Sequence, residues 1–368
     1  MSSARRTKSR AIRAPPALTP RRRWGGVARP ATRPTPQLGR SSMTRHHPAR
    51  RAVLAAFAAA ALAAPAAAEE MIDSIHFLIP GGAGGGWDGT ARGTGEALTK
   101  AGIVGDASYE NMSGGGGGKA IAHLIELGDR GSDTLMVNST PIVIRSLQGV
   151  FPQSFRDLTP IAGTIGDYAA LVVNSDSPIG SFQDLLGVYQ ADPTNVAIGG
   201  GSVAGGMDHV VAAIIMKAAG ENPLAVKYIP YDAGGKAMAG LLSGEIKALS
   251  TGYSEAVALA QQDEVRILCV TADERVDLTP DVPTCAEVAG DDARFVNWRG
   301  FFAAPGLSDE MQQQYVDALA AMYETEAWEE VRARNGWVEI WNPGAEFVSY
   351  LEAQEKQIGD LMRELGFL

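Results

Sequence analysis

The sequence predicts an α/β protein of two lobes with a ligand cleft between them, and three observations carry that prediction. Short apolar runs alternate with segments of helical spacing from Ile72 to Val270, the pattern of parallel βαβ units. Glycine-rich loops join strand to helix in both halves of that stretch, at Gly81–Asp88 and Ser113–Gly118 in the first and at Gly199–Gly206 in the second. After Arg299 the alternation stops. One more apolar run, Gly300–Ala304, is closed by Pro305-Gly306 and followed by acidic segments that read as helices. Loops at the C-terminal ends of strands lie at the ligand end of an open α/β sheet.

In chain order, strands are expected at Ile75–Ile79, Ala107–Asn111 and Leu135–Asn138. Helices follow at about Gly89–Lys100 and Lys119–Leu127, with a third after Pro141. A buried strand at Ala169–Asn174 leads to a helix at Phe182–Gln190, then a strand at Val196–Ile198. Met207–Ala219 is a helix on the spacing of Met207, Val210, Val211, Ile214, Ile215 and Ala218. Strands at Val226–Ile229, Ile246–Ser250 and Val265–Val270 alternate with helices at Gly235–Leu242 and Ser254–Gln261. In the tail, Ser308 is an N-cap with Asp309 and Glu310 in the first turn, Gly336 a C-cap, and Pro343-Gly344 the start of a last helix to about Leu365. Crossings between lobes are expected near Leu171–Asn174 and Gly300–Ala304. This assigns residues 69–172 plus 299–368 to one lobe and 173–298 to the other.

Charge is divided unevenly along the chain. Residues 1–68 hold 14 Lys and Arg and no Asp or Glu, which leaves 18 basic and 42 acidic residues in the remainder. A part that acidic is a poor partner for nucleic acid. His46–Arg51 form a basic n-region, Ala52–Ala64 a short apolar core and Ala66-Ala67-Ala68 an A-x-A site, the pattern of a secretory signal cleaved after Ala68. Residues 1–42, rich in Arg, Pro and Ala, precede a Met43 that itself opens a conventional signal, so Met43 reads as the true start. Cys269 and Cys285 are too few for a disulfide framework or a cysteine zinc site. An oxidising compartment permits a bond between them, and sequence alone does not decide it.

A glycine-rich strand-to-helix turn exposes backbone N–H groups at a helix N-terminus, where an anion is favoured. In the first loop, Gly84, Gly85 and Gly86 allow close approach, Trp87 offers a covering surface and Asp88 a cap for the helix. No Gly-Lys-Ser/Thr follows, so it is not a P-loop. In the third, Ser202 adds a hydroxyl, while Ala204, Gly205 and Gly206 leave the first turn bare. Asp208 and His209 are placed to orient it. The five glycines of the second loop read equally as a contact or a connector. Asn138-Ser139-Thr140-Pro141 and Tyr231-Asp232-Ala233-Gly234-Gly235 have the composition of binding loops, with Ser139, Thr140 and Tyr231 as candidate contacts. Tyr168, Tyr253 and Trp298 are candidates for cleft walls or core. Arg299 is the leading candidate for a charge partner, with Arg92 and Arg145 behind it. No catalytic set stands out. His76, His123 and His209 form no H-E-x-x-H pattern, there is no G-x-S-x-G elbow, and no cofactor is implied.

Taken in order, Gly84-Gly85-Gly86-Trp87-Asp88, Asn111 with its glycine run, Gly199–His209, Tyr231 with Gly234-Gly235, Asp281-Val282-Pro283-Thr284 and Asn297-Trp298-Arg299-Gly300 resemble the periplasmic solute-binding component of tripartite tricarboxylate transporters, nearest its tricarboxylate-binding branch. That resemblance implies a type II periplasmic-binding-protein fold that closes on a carboxylate, held by backbone N–H groups at Gly84–Asp88 and Ser202–Gly206. It also implies a monomeric receptor in the periplasm that delivers a di- or tricarboxylate, citrate-like, to integral membrane subunits. An exported α/β enzyme acting on a carboxylate, or a binding protein that feeds a sensor, are the alternatives.

Overall fold

Three βα units begin the part of the chain that the computed structural model describes, residues 70–368. The signal and cleavage site expected at the N-terminus lie outside the described residues. β1 (Ile72–Ile79) runs through the first glycine loop into α1 (Gly86–Lys100), β2 (Val104–Asn111) through the second into α2 (Gly118–Leu127), and β3 (Thr134–Ser139) directly into α3 (Thr140–Leu147). A long strand, β4 (Thr159–Asn174), then leads to α4 (Phe182–Ala191), β5 (Ala197–Gly200), α5 (Met207–Ala218), β6 (Lys227–Pro230), α6 (Gly234–Leu242), β7 (Ala248–Gly252), α7 (Tyr253–Ala260), β8 (Val265–Val270) and the short α8 (Cys285–Ala289). The chain returns in β9 (Val296–Ala303) and finishes with α9 (Asp309–Tyr323), α10 (Glu326–Asn335), β10 (Val338–Pro343) and α11 (Ala345–Leu365).

The strands order as β2-β1-β3-β9-β4-β7-β5-β6, with β10 and β8 also paired to β4. β4 belongs to both halves of this arrangement. Thr159–Tyr168 pairs antiparallel with β9, and Ala169–Asn174 pairs antiparallel with β7 and β8. The partner changes between Tyr168 and Ala169, a few residues before the crossing expected at Leu171–Asn174. On the return, β9 pairs with the first half over its whole length from Val296. α11 lies against α3, and its C-terminal end reaches α5. Lys217 of α5 pairs with Glu364, and the Phe367 ring meets His209 edge-on at 4.9 Å.

α5 forms where the apolar spacing places it, with Val210, Val211, Ile214 and Ile215 buried. Each such side chain contributes about 1.5–3 kcal/mol of burial. α1 begins three residues before the expected Gly89, with Gly85 as its N-cap and Asp88 inside the first turn. Asp88 therefore does not cap the helix from outside. Its carboxylate reaches back to accept from the N–H of Gly84 at 3.0 Å.

Cys269 at the end of β8 and Cys285 at the start of α8 form a disulfide, with Cα atoms 4.8 Å apart. The bridge closes a loop across a sequence separation of 16 residues, a size for which chain-entropy arguments give about 3 kcal/mol. Replacing both cysteines by alanine is expected to lower the urea midpoint by a corresponding amount. An unchanged midpoint would show that the bridge leaves the unfolded chain unconstrained.

Candidate functional site

The loops after β1, β2, β5 and β6 meet around one cavity of about 340 Å³. This volume is near the lower end of the range for small-ligand sites, about 300–1,000 Å³. The two walls touch. A Cβ on Gly82 would lie 3.2 Å from the Cβ of Ala233, and one on Gly235 would lie 3.1 Å from the carbonyl oxygen of Ala83. The first loop thus faces the loop before α6 across the cleft and meets it there, with the third loop beside the latter.

The N-terminal ends of α1, α5 and α6 line this cavity through Gly86, Gly206 and Gly234. Each helix end carries a partial positive charge. The N–H groups of Gly86, Trp87, Gly234 and Gly235 have no hydrogen-bond partner among the described residues. The third loop is different. Ser202 N–H donates to Asp208 Oδ2 at 2.9 Å, Gly205 N–H to His209 Nδ1 at 3.0 Å, and Gly206 N–H to the Val203 carbonyl at 2.8 Å. Three donors expected to grip a ligand are therefore occupied by the loop itself.

Of the residues singled out in the sequence, Gly85, Gly86, Trp87, Ser139, Ser202, Gly206 and Tyr231 line the cavity. Trp87 is oriented there by its Nε1–H, which donates to Ser139 Oγ at 2.9 Å. The hydroxyl of Tyr231 lies against Gly240, where a Cβ would be 2.5 Å from it. Gly84, Asp88, Thr140, Tyr168, Ala204, Gly205 and Tyr253 are outside the lining. Asp88 stitches the first loop by accepting from Arg92 Nε at 2.8 Å and Asn111 Nδ2 at 3.1 Å. Tyr253 is fully buried, with its hydroxyl 2.9 Å from that of Thr279. Trp298 is core as well, edge-on to Phe347 and Tyr350. His209, stacked on Tyr228 at 4.6 Å, accepts the Gly205 N–H, and burial lowers its pKa, so it stays neutral as a brace for the loop.

Two basic candidates are held by acids of the chain itself, Arg92 at the surface and Arg299 in the cavity lining. Arg92 pairs with Asp88 and covers the Tyr109 ring. Arg299, 2% exposed, holds Asp167 Oδ2 at 2.5 Å and donates to the Gly86 carbonyl and Thr90 Oγ1 at 2.7 Å each. Gly86 is required by this contact, since a Cβ there would lie 2.2 Å from Arg299 Nη2. Asp167 in turn accepts from the N–H and hydroxyl of Ser254 at the start of α7. One buried ion pair thus ties the N-terminus of α1 to that of α7.

Sequence reasoning did not select two acids that also line the cavity as ligand contacts, Asp208 and Glu255. Glu255 accepts from Thr251 Oγ1 at 2.6 Å and the Gly252 N–H at 2.9 Å, and burial raises its pKa. Burial, and then the charge of Glu255, push Asp208 up to about 7. Both sit in the first turns of helices, where an acid is favoured. That position was the available signal, and it is shared by many acids that line nothing.

The family model described as "TctC: Tripartite tricarboxylate transporter family receptor" matches residues 98–367. The chain belongs to that receptor family. The receptor is similar to a UPF0065 protein of Bordetella pertussis, 24% identical over 79% of this chain and 89% of that one. Its fold is shared by periplasmic binding protein BugD, with TM-score 0.73 at 19% identity, covering 80% of this chain and 98% of that one. It is also shared by MatC from Rhodopseudomonas palustris with bound malate, with TM-score 0.69 at 17% identity over 78% of this chain and 98% of that one. A further R. palustris protein, solved with adipate, gives TM-score 0.72 at 18% identity, over 80% of this chain and 97% of that one. The receptor has the two-lobed fold of periplasmic binding proteins, and its family and structural neighbours are solute-binding receptors, not enzymes.

Proposed function

We propose that this receptor captures a small di- or tricarboxylate, citrate-like in charge and size, in the periplasm. As a monomer it delivers the ligand to the integral membrane subunits of a tripartite tricarboxylate transporter. The observation that carries the reading is the set of unpartnered N–H groups at the starts of α1 and α6, two helix ends that line one small cavity from opposite walls. Opposed helix ends favour an anion, and exclusion of water strengthens each contact. The malate and adipate bound by MatC and the further R. palustris protein are both dicarboxylates, which supports the same class here.

In this reading residues 69–172 with 299–368 form one jaw and residues 173–298 the other, behind a leader cleaved after Ala68. The experiment is a thermal-shift screen of the purified protein with succinate, malate, adipate and citrate beside a neutral sugar. A ligand present at 100 times its Kd adds about 2.7 kcal/mol of stability. A shift with one or more of the carboxylates and none with the sugar supports the reading; a shift with the sugar alone overturns it.

A further inference from the structure

We propose that Arg145 is the anchor for a second carboxylate of the ligand, so that the site selects dianions over monoanions of the same length. This rests on the carboxylate reading above and adds a residue and a charge requirement to it.

Arg145 stands in the last turn of α3 and lines the cavity while only 9% exposed. Unlike Arg92 and Arg299, it has no acid within ion-pairing distance among the described residues. Its one side-chain hydrogen bond is from Nη1 to Gln148 Oε1 at 2.7 Å, and its Nε is buried without a partner. A buried guanidinium without a counter-ion is costly unless something anionic completes it. Burial alone already lowers its pKa, with no acid to oppose the effect.

The second glycine loop fits the same account. Gly114–Gly117 line the cavity, and a Cβ on Gly116, where φ is +66°, would lie 3.3 Å from Arg145 Nε. Bare backbone here lets the loop pack directly onto the guanidinium with no side chain in between, which gives the glycine run a role beyond that of connector. Gln148 carries the contact onward, because its Nε2 donates to the Gly205 carbonyl at 3.0 Å. The distal charge is therefore read on α3 and linked by one side chain to the third loop on the opposite wall.

The test compares Kd values for succinate and adipate, each beside its monoamide, on the purified protein. In the wild type each diacid binds roughly 10- to 100-fold tighter than its monoamide, the range a charge-assisted hydrogen bond gives. In Arg145→Gln the gap closes, because the amide side chain no longer distinguishes a carboxylate from a carboxamide. Arg145→Lys keeps a charge without the fork and retains part of the gap; it serves if the glutamine variant fails to fold. A wild type that binds a diacid and its monoamide equally overturns the inference and leaves the carboxylate reading standing. So does a full gap that persists in the glutamine or lysine variant. A wild type that binds no carboxylate at all overturns both.

Discussion

Replacing Arg299 by leucine is expected to lower folding stability by about 3–5 kcal/mol at pH 8, because it strands a buried charge. Asp167 is fully buried, and its other partners, the hydroxyl and N–H of Ser254, are neutral. Burial already pushes its pKa upward, and the guanidinium is the first influence opposing that shift. Without Arg299 the folded-state pKa moves further above the unfolded value. A carboxyl raised in this way binds a proton in the folded chain before it does so in the unfolded one, so stability returns as pH falls. The loss measured by urea unfolding is accordingly smaller at pH 5 than at pH 8. Adding Asp167→Asn removes the stranded charge and recovers much of the loss. A pH-independent loss that the second substitution does not relieve would mean that Arg299 acts through shape alone.

Asp208→Asn is expected to stabilise the protein at pH 8 and to flatten its response to pH. The carboxyl of Asp208 is pushed up to about 7 from an ordinary 3.8, first by burial and then by the charge of Glu255. Tyr228 packs against it, Ser202 donates to it, and no cation pairs with it among the described residues. Its folded pKa is higher than its unfolded pKa. Between about pH 4 and 7 the folded form holds the extra proton, and stability falls as pH rises through that window. The full penalty, on the order of a few kcal/mol, applies above pH 7. Asparagine keeps an oxygen for the Ser202 N–H and carries no charge. The variant should therefore melt higher than the wild type at pH 8 and close to it at pH 4. The same charge faces the cavity, so at pH values where succinate is already a dianion its affinity should fall with rising pH more steeply in the wild type than in the variant, which keeps Glu255. Identical melting curves at pH 8 would rule out a buried ionised Asp208.

Much of the architecture was legible in the sequence. The glycine loops mark the ligand end of the strands, and α5 forms within one residue of its apolar spacing. The first ten residues of β4 were not, since Pro160, Gly163, Gly166 and Asp167 break every local strand signal. That stretch becomes a strand because β9 and β10 flank it. β10 went unread between a helix and a Pro-Gly, being only six residues long. The arginines were hard to rank for a related reason. Arg299 was conspicuous among its neighbours, but Asp167, 132 positions away, claims its charge. Arg145 stands out only once it is known which acids fail to approach it, and that is a property of the assembled fold. Tyr253 and Trp298 were open between wall and core for the same cause.

The strand order also dictates the sequence in which the molecule can be assembled. β9 lies between β3 and β4, so a growing chain has β1, β2, β3 and the start of β4 in hand with the central position of that half-sheet vacant. The position is filled by residues 296–303, after every strand of the other half-sheet has been made. The strands of the second half-sheet all lie within residues 169–270, and its pairs close over shorter stretches of chain than those β9 makes, which favours early formation. The half that is synthesised first is thus the half that is completed last.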